Sequence, residues 1–392
     1  MTVVQLPTQR RPTWATVDLA AIAHNVGVLR RAADDAQVCA VVKADGYGHG
    51  AVPVAETAID AGAASLGVAL AEEGVELRDA GIAAPVLLLS EPPVDAFDDV
   101  VECQLRPALY TDRGVEAAIA AVRGSTRHEP LPVHLKVDTG MHRVGASPDD
   151  LVRLAAVVAA APELDLEGVF THCAVADEPD RDFTARQLVR FDEVLDRLAA
   201  LGIRPRLRHA GNSAVTFCHP AGRYDLVRCG ISLCGHPPAP SLASRDGVAE
   251  LRPALQLEAE VSFAKRVPAG DGISYGLRYV LDRDATIATV PIGYADGVPR
   301  RLDALGGEVL IGGQRRRIAG TVTMDQITVD CGDDPVRPGD PVVLIGSQGA
   351  ETITADDWAT KLDTISYEIV CGIGRRVPRR YLAADPSSVG TG

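Results

Sequence analysis

Apolar residues follow two different periods along this chain, and the change between them divides it. From residue 18 to about residue 230, stretches with helical spacing alternate with short runs that are apolar at almost every position. In the first helical stretch Leu19, Ile22, Val26 and Leu29 recur at intervals of three and four behind Asp18, a suitable N-cap. This predicts a helix with one buried stripe. Eight apolar runs, near residues 38–43, 65–69, 85–89, 105–109, 133–137, 167–171, 206–209 and 224–228, read as strands, with helical segments such as 111–123, 148–160 and 181–200 between them. Strands apolar on both faces belong to a parallel sheet covered on both sides, and eight strand–helix units predict an α/β fold, a (β/α)8 TIM-type barrel. An open doubly wound sheet competes, but it rarely reaches eight units and no GxGxxG follows the first strand.

After Gly235 the text changes to HPPAPSLASRDG, which reads as a linker. Beyond it Leu255, Leu257, Ala259, Val261 and Phe263 alternate with Gln256, Glu258, Glu260 and Ser262, the period of a half-buried strand. Turn signals at Gly270-Asp271-Gly272, Gly312-Gly313, Gly332-Asp333-Asp334 and Pro338-Gly339 then separate runs such as ATIATVPIGY, GEVLIG and TVTMDQITVD. The expected organisation is a barrel over residues 1–240, its first residues available to pack with the second domain, and a predominantly β C-terminal domain over 241–392. The closing PSSVGTG is expected to fray.

Composition adds exclusions. With 392 residues, 46% hydrophobic and 23% charged, the chain suits two globular domains rather than disorder. The net charge of −14, without a basic stripe interleaved with aromatics, disfavours nucleic acid as a partner. The longest apolar stretch, Leu154 to Ala161, stops at Pro162, well short of the roughly 20 residues a membrane helix needs. The opening MTVVQLPTQRRPTW lacks the apolar core of a signal peptide, and eight cysteines without a CxxC read as reduced thiols of a cytoplasmic protein with no metal site. More telling, only four of the 39 basic side chains are lysines: Lys43, Lys136, Lys265 and Lys361. Primary-amine chemistry therefore has four possible addresses.

In a barrel the C-terminal ends of the strands line the functional mouth, and here they carry Lys43, Lys136, His172, His209 and Arg228. Lys43 lies in VVKADGYGHG; an amine pressed between barrel walls loses basicity and can attack a carbonyl, as a Schiff-base lysine must. The loops after strands seven and eight, Gly211-Asn212-Ser213 and Cys229-Gly230-Ile231, offer exposed backbone N–H groups, and Asn212 is placed to start a short helix that favours an anion. A reactive lysine beside a phosphate cradle suggests pyridoxal 5'-phosphate.

VVKADGYGHG, HLKVDTGMHRVG, THCAVADE, HAGNSA, RCGISLCG, SYG, PIGYADG, TMDQITVD and TISYEIVCGIGRRVPRRY, in this order from about Trp14 to Tyr381, resemble alanine racemase, a pyridoxal-phosphate enzyme family with a barrel and a β domain. The resemblance implies that Lys43 binds the cofactor covalently and acts as one acid/base, with Tyr275 as the other on the opposite face of the substrate. It implies that His172 links Tyr275 to Arg228, whose permanent charge faces the pyridine nitrogen and favours return of the proton to Cα. It assigns the phosphate to Tyr47, Ser213, Gly230, Ile231 and Tyr367, the substrate carboxylate to Arg143 and Met324, a carbamate to Lys136, support of the tyrosine side to Asp325, and a constriction of the access route to Tyr294 with Tyr367. An ordinary lysine paired with Asp138 stays the alternative for Lys136. Met324 and Asp325 match a segment supplied by a second subunit, so the resemblance implies a homodimer with shared sites acting on alanine for peptidoglycan synthesis. Glycine is frequent in the family where His142 stands, proline at Cys229, tyrosine at Cys234, and GRVCMD in place of GTVTMD; these departures bear on packing and substrate breadth. His209 reads as support for the cofactor loop. Two alternatives are a decarboxylase of the same architecture, disfavoured because Arg228 stands where a carboxylate would serve it, and a non-catalytic cofactor carrier, disfavoured by the C-terminal SYG and TMDQ segments.

Overall fold

In the computed structural model, which describes residues 10–126 and 129–382, the chain divides by its contacts into a unit over Ala21–Pro253 and a unit formed by residues 10–20 with 254–382. The tail expected to fray lies outside the described residues. Strand β1 (Thr13–Asp18) belongs to the second unit, and the next eight strands form the first. These are β2 (Gln37–Val41), β3 (Ser65–Val68), β4 (Val86–Leu88), β5 (Arg106–Leu109), β6 (Leu131–Lys136), β7 (Leu164–Phe170), β8 (Leu207–His209) and β9 (Leu226–Cys229).

All eight pair in parallel, in the order β8-β7-β6-β5-β4-β3-β2-β9, and an Asn212–Arg228 bridge brings the two ends of the sheet together. The result is a (β/α)8 barrel, as the apolar runs predict. Their lack of alternation has a physical cause: one face fills the barrel and the other packs under helices, so residues such as Val41, Leu88, Leu109 and Val169 are buried on whichever side they point. Helices Asp112–Gly124, Pro148–Ala160 and Phe183–Ala200 fall where the periodicity places them. The helix Leu19–Ala33 starts behind Asp18, whose carboxylate accepts from the Ala20 N–H at 2.8 Å. Ile22, Val26 and Leu29 are buried along its stripe, each contributing about 1.5–3 kcal/mol, whereas Leu19 is half-buried.

The second unit is mainly strand. Its larger sheet runs Gln314–Arg317, Glu308–Ile311, Pro341–Gln348, Leu255–Glu260, β1, Arg379–Leu382, with Glu351–Ile353 added to Pro341–Gln348. β1 lies between strands some 240 and 360 positions away in sequence, antiparallel to one and parallel to the other. A smaller sheet joins Phe263–Val267, Ala285–Val290 and Ile327–Asp330. Along Leu255–Glu260 the predicted alternation holds, but it does not extend to Phe263, which is exposed. The chain changes sheets between Val261 and Phe263, so the inside-outside register restarts there.

Candidate active site

Lys43 lies two residues beyond the end of β2, at the head of a turn whose backbone is unusual. Ala44, Asp45, Gly46 and Tyr47 all have φ between 53° and 62°, a full turn of left-handed helix in which three of the four carry side chains. L-residues pay about 1–2 kcal/mol each for that conformation. Two carboxylates hold it. Glu73 accepts from the Ala44 N–H at 2.6 Å with one oxygen and from the Ala69 and Leu70 N–H groups at 2.8 and 3.1 Å with the other. Asp45 accepts from the Ala51 N–H at 2.9 Å, tying the turn to the next helix. The turn lays Tyr47 across the loop after β9: a Cβ on Gly230 would stand 2.2 Å from the Tyr47 hydroxyl, so only glycine fits there.

That hydroxyl meets the other parts of a cradle. Asn212 caps the short helix Ser213–Cys218, accepting from the Val215 N–H at 2.9 Å, as its position in the sequence suggests. Buried Ser213 receives the Gly230 N–H at 3.3 Å, and buried Ile231 follows in the same turn. Tyr47, Ser213, Gly230 and Ile231, four of the five residues expected to take a phosphate, are thus brought together.

Lys136 ends β6 and is buried, its ammonium 3.4 Å from the Leu89 carbonyl and 5.3 Å from the Phe170 ring centre. Burial, then the charges of Arg228, Arg143 and Lys43, push its pKa down to about 8, against the pull of Asp138. Asp138 also shapes the following loop, accepting from the Gly140, Met141 and His142 N–H groups. His142 has φ 55°, which explains why glycine is the frequent choice at this position; the imidazole lies 3.4 Å from Asp138, and Arg143 beyond it is exposed.

Arg228 on β9 is buried, with its guanidinium 5.2 Å from the Phe170 ring centre. It donates to the Thr171 and Ala210 carbonyls at 2.9 and 3.3 Å, to His209 Nδ1 at 2.8 Å and to His172 Nδ1 at 3.3 Å. A guanidinium only donates, so His172 Nδ1 accepts and its proton resides on Nε2. Burial and the surrounding cations Arg228, Lys136, Arg143 and Lys43 hold the His172 pKa well below the ordinary histidine value. The imidazole is neutral at physiological pH, with an N–H to give.

The remaining expected residues lie in the second unit. Tyr275 is 73% exposed on a turn in which Ser274, Gly276 and Leu277 all have positive φ. Thr321 buttresses that turn: its hydroxyl donates to the Tyr275 carbonyl at 3.0 Å, and its own carbonyl accepts from Ser274 Oγ at 2.7 Å. Tyr294 and exposed Met324 sit on adjacent turns joined by the Tyr294 N–H to the Thr323 carbonyl and the Ala295 N–H to the Met324 carbonyl. Asp325 pairs with Arg376 at 2.6 Å, and Arg376 also reaches fully buried Asp296, which Arg11 grips with two bonds of 2.8 and 2.9 Å. Tyr367 lies on the helix Ser366–Cys371, half-buried. Of the other two lysines, Lys265 and Lys361 are exposed charges. Glu73, Thr321 and the buried His134 and Glu167 are not singled out by the sequence pattern; for the last two the available signal was a polar residue within a mainly apolar strand.

Family models for the alanine racemase N-terminal domain and C-terminal domain match residues 17–238 and 254–381. The alanine racemase of Symbiobacterium thermophilum is 50% identical over 372 residues, covering 95% of this chain and 97% of its own, and that of Thermobifida fusca is 46% identical over 94% of this chain and 98% of its own. Among solved structures, alanine racemase from Streptomyces lavendulae superposes with a TM-score of 0.90 at 39% identity, covering 98% of this chain and all of that one. Alanine racemase from Bacillus anthracis gives the same TM-score and identity over 96% of both chains. Matched in both halves and over nearly its whole length, the chain belongs to the alanine racemase family of isomerases.

Proposed function

We propose that the protein interconverts L- and D-alanine with pyridoxal 5'-phosphate held at the barrel mouth, and that it supplies D-alanine for peptidoglycan from the cytoplasm. The observation that carries this reading is electrostatic: Lys43, Lys136, Arg143 and Arg228 converge closely enough that Lys136 feels the other three, with Asp138 as the opposing carboxylate. Such a mouth calls for an anion. The Tyr47, Ser213, Gly230 and Ile231 turn provides hydroxyl and backbone N–H donors of the kind that hold phosphate, and Lys43 offers a primary amine beside it. When bound, pyridoxal phosphate supplies an electron sink for the charge left as the Cα–H bond breaks.

The chain's own residues do the rest. Lys43 Nζ holds the cofactor and moves the proton on one face of the substrate Cα; Tyr275 Oη moves it on the other. A tyrosine of ordinary pKa near 10 needs help to take a proton at neutral pH. The neutral His172 ring gives that help by donating its Nε2–H to the phenolic oxygen. Arg228 presents a permanent positive charge where a carboxylate would strengthen the sink, which favours return of the proton to Cα over transamination. Arg143 and the Met324 backbone bind the substrate carboxylate. Lys136, partly neutral because its pKa lies near 8, adds through Nζ to carbon dioxide and releases one proton, forming a carbamate anion that offsets Arg143. Tyr275, Tyr294, Met324, Asp325 and Tyr367 serve the barrel of a second copy, so two chains make two equivalent sites.

The test combines product and linkage. Purified protein given the cofactor converts L-alanine into D-alanine by chiral separation, and borohydride reduction leaves the cofactor's mass on the peptide carrying Lys43. Release of carbon dioxide in place of D-alanine, or attachment to another lysine, overturns the proposal.

A further inference from the structure

Beneath Arg228 the barrel interior holds a line of buried polar side chains that the proposed chemistry does not use. His209 Nδ1 lies 2.8 Å from Arg228 Nη1, and His209 Nε2 lies 2.8 Å from His134 Nδ1. His134 Nε2 is 3.0 Å from Glu167 Oε2, which is itself 3.0 Å from Arg106 Nη1. Arg228, His209, His134 and Glu167 come from β9, β8, β6 and β7 in turn, and all four are buried.

We infer that Glu167, paired with Arg106 and Arg206 at the far end, acts through His134 and His209 as a positioning residue that keeps the Arg228 guanidinium aimed into the site. The inference deepens the proposed function, because Arg228 matters to catalysis only if that function is right. The direction of the line follows from donor chemistry. Arg228 can only donate, so His209 Nδ1 accepts; its proton then sits on Nε2 and is given to His134 Nδ1; the His134 proton sits on Nε2 and is given to the carboxylate. A single arrangement of tautomers satisfies all three bonds. Burial keeps both rings from charging: it holds His134 below its ordinary pKa against the pull of Glu167, and, with Arg228 and His134 nearby, holds His209 well below.

The surroundings are built to this line. Phe170 stacks on His209 at 4.7 Å with the ring planes 6° apart, and the two imidazoles meet edge to face at 5.0 Å. Beside them β7 carries Gly168, where a Cβ would stand 2.2 Å from His134 Nδ1, and the β6–β7 register shifts between Val133 and His134. The carboxylate supplies what an amide cannot. Glutamine at position 167 could accept from His134 or donate to it; in the second case both rings adopt the other tautomer, and His209 presents an N–H to an Arg228 N–H. A carboxylate can only accept, as Arg228 can only donate, so with Glu167 both ends of the line enforce the same polarity.

Neutron diffraction on crystals of the full-length holoenzyme reads the line directly. Deuterons on Nε2 of both His209 and His134, with Glu167 unprotonated, are expected; a deuteron on Nδ1 of either ring, or a protonated Glu167, overturns the inference and leaves the proposed function standing. The second arm is Glu167→Gln, assayed for pyruvate released per D-alanine formed. Loosening of Arg228 is expected to raise that ratio at least about tenfold, a change that a uniform loss of folded enzyme does not produce. A ratio within twofold of the unaltered enzyme refutes the positioning role. Should Arg228→Lys leave the ratio unchanged as well, the failure lies in the role given to Arg228 and hence in the proposed function.

Discussion

The left-handed turn behind Lys43 offers a quantitative test, because Glu73, one of its two carboxylate clamps, joins it to a second loop. Glu73 accepts three backbone N–H bonds, one from the turn and two from the loop after β3. Buried bonds to a charged group contribute about 1.5–3 kcal/mol each, and the half-exposed setting of Glu73 lowers this to about 1 kcal/mol each, about 3 kcal/mol for the three. That is comparable to the roughly 3–6 kcal/mol of strain in Ala44, Asp45 and Tyr47. Glu73→Ala should therefore release the turn. The amides to follow are those of Gly48 and Gly50, which donate to the Ala44 and Asp45 carbonyls at 3.0 and 2.8 Å. Their hydrogen-exchange protection should fall about a hundredfold, as about 3 kcal/mol requires, while Leu135 in β6 stays protected. Glu73→Gln should resemble Glu73→Ala despite its shape. Each Glu73 oxygen faces at least one N–H, so the amide nitrogen must confront a donor wherever it points. Protection within threefold of the original protein in Glu73→Ala, or a Glu73→Gln protein as well protected as the original, would refute the clamp.

Other consequences follow from single contacts. In carbon dioxide-free buffer without cofactor, stability should rise with pH from about 8 toward 10.5, because Lys136 releases its proton near 8 when folded but only near 10.5 when unfolded; Lys136→Met should flatten that rise in urea midpoints. Asp296→Ala removes a fully buried carboxylate held by Arg11 and Arg376, and should cost about 3 kcal/mol in the same measurement; an unchanged midpoint counts against the pairing. Thr321→Val deletes a hydrogen bond to the Tyr275 carbonyl worth about 1 kcal/mol. A several-fold loss of racemisation with cofactor binding unaltered is expected, and loss of cofactor binding instead would show that Thr321 acts elsewhere.

What the sequence made readable was whatever depends on neighbours close in the chain or on burial alone. The eight barrel strands are apolar on both faces, and Asn212 and Asp18 occupy cap positions whose partners lie two or three residues on. β1 was hidden because its pairing partners, Leu255–Glu260 and Arg379–Leu382, are hundreds of residues away. The turn at Ala44–Tyr47 was hidden because alanine, aspartate and tyrosine do not announce positive φ; tertiary clamps impose it. Glu73 and Glu167 look like two more acids among 53, and only the fold shows one gripping backbone amides and the other at the end of a buried histidine line. His142, noted as a departure from glycine, acquires its reason once its φ of 55° is known.

The central claim is that Lys43 and Tyr275 move the proton on opposite faces of Cα. Solvent deuterium incorporation by Tyr275→Phe, measured separately from each enantiomer of alanine, tests it most directly. A positioned general base is worth about 10²–10⁴-fold, so exchange from L-alanine should fall by that factor while exchange from D-alanine, served by Lys43, stays within about tenfold of the unaltered enzyme. Equal losses from both enantiomers would contradict the two-base account.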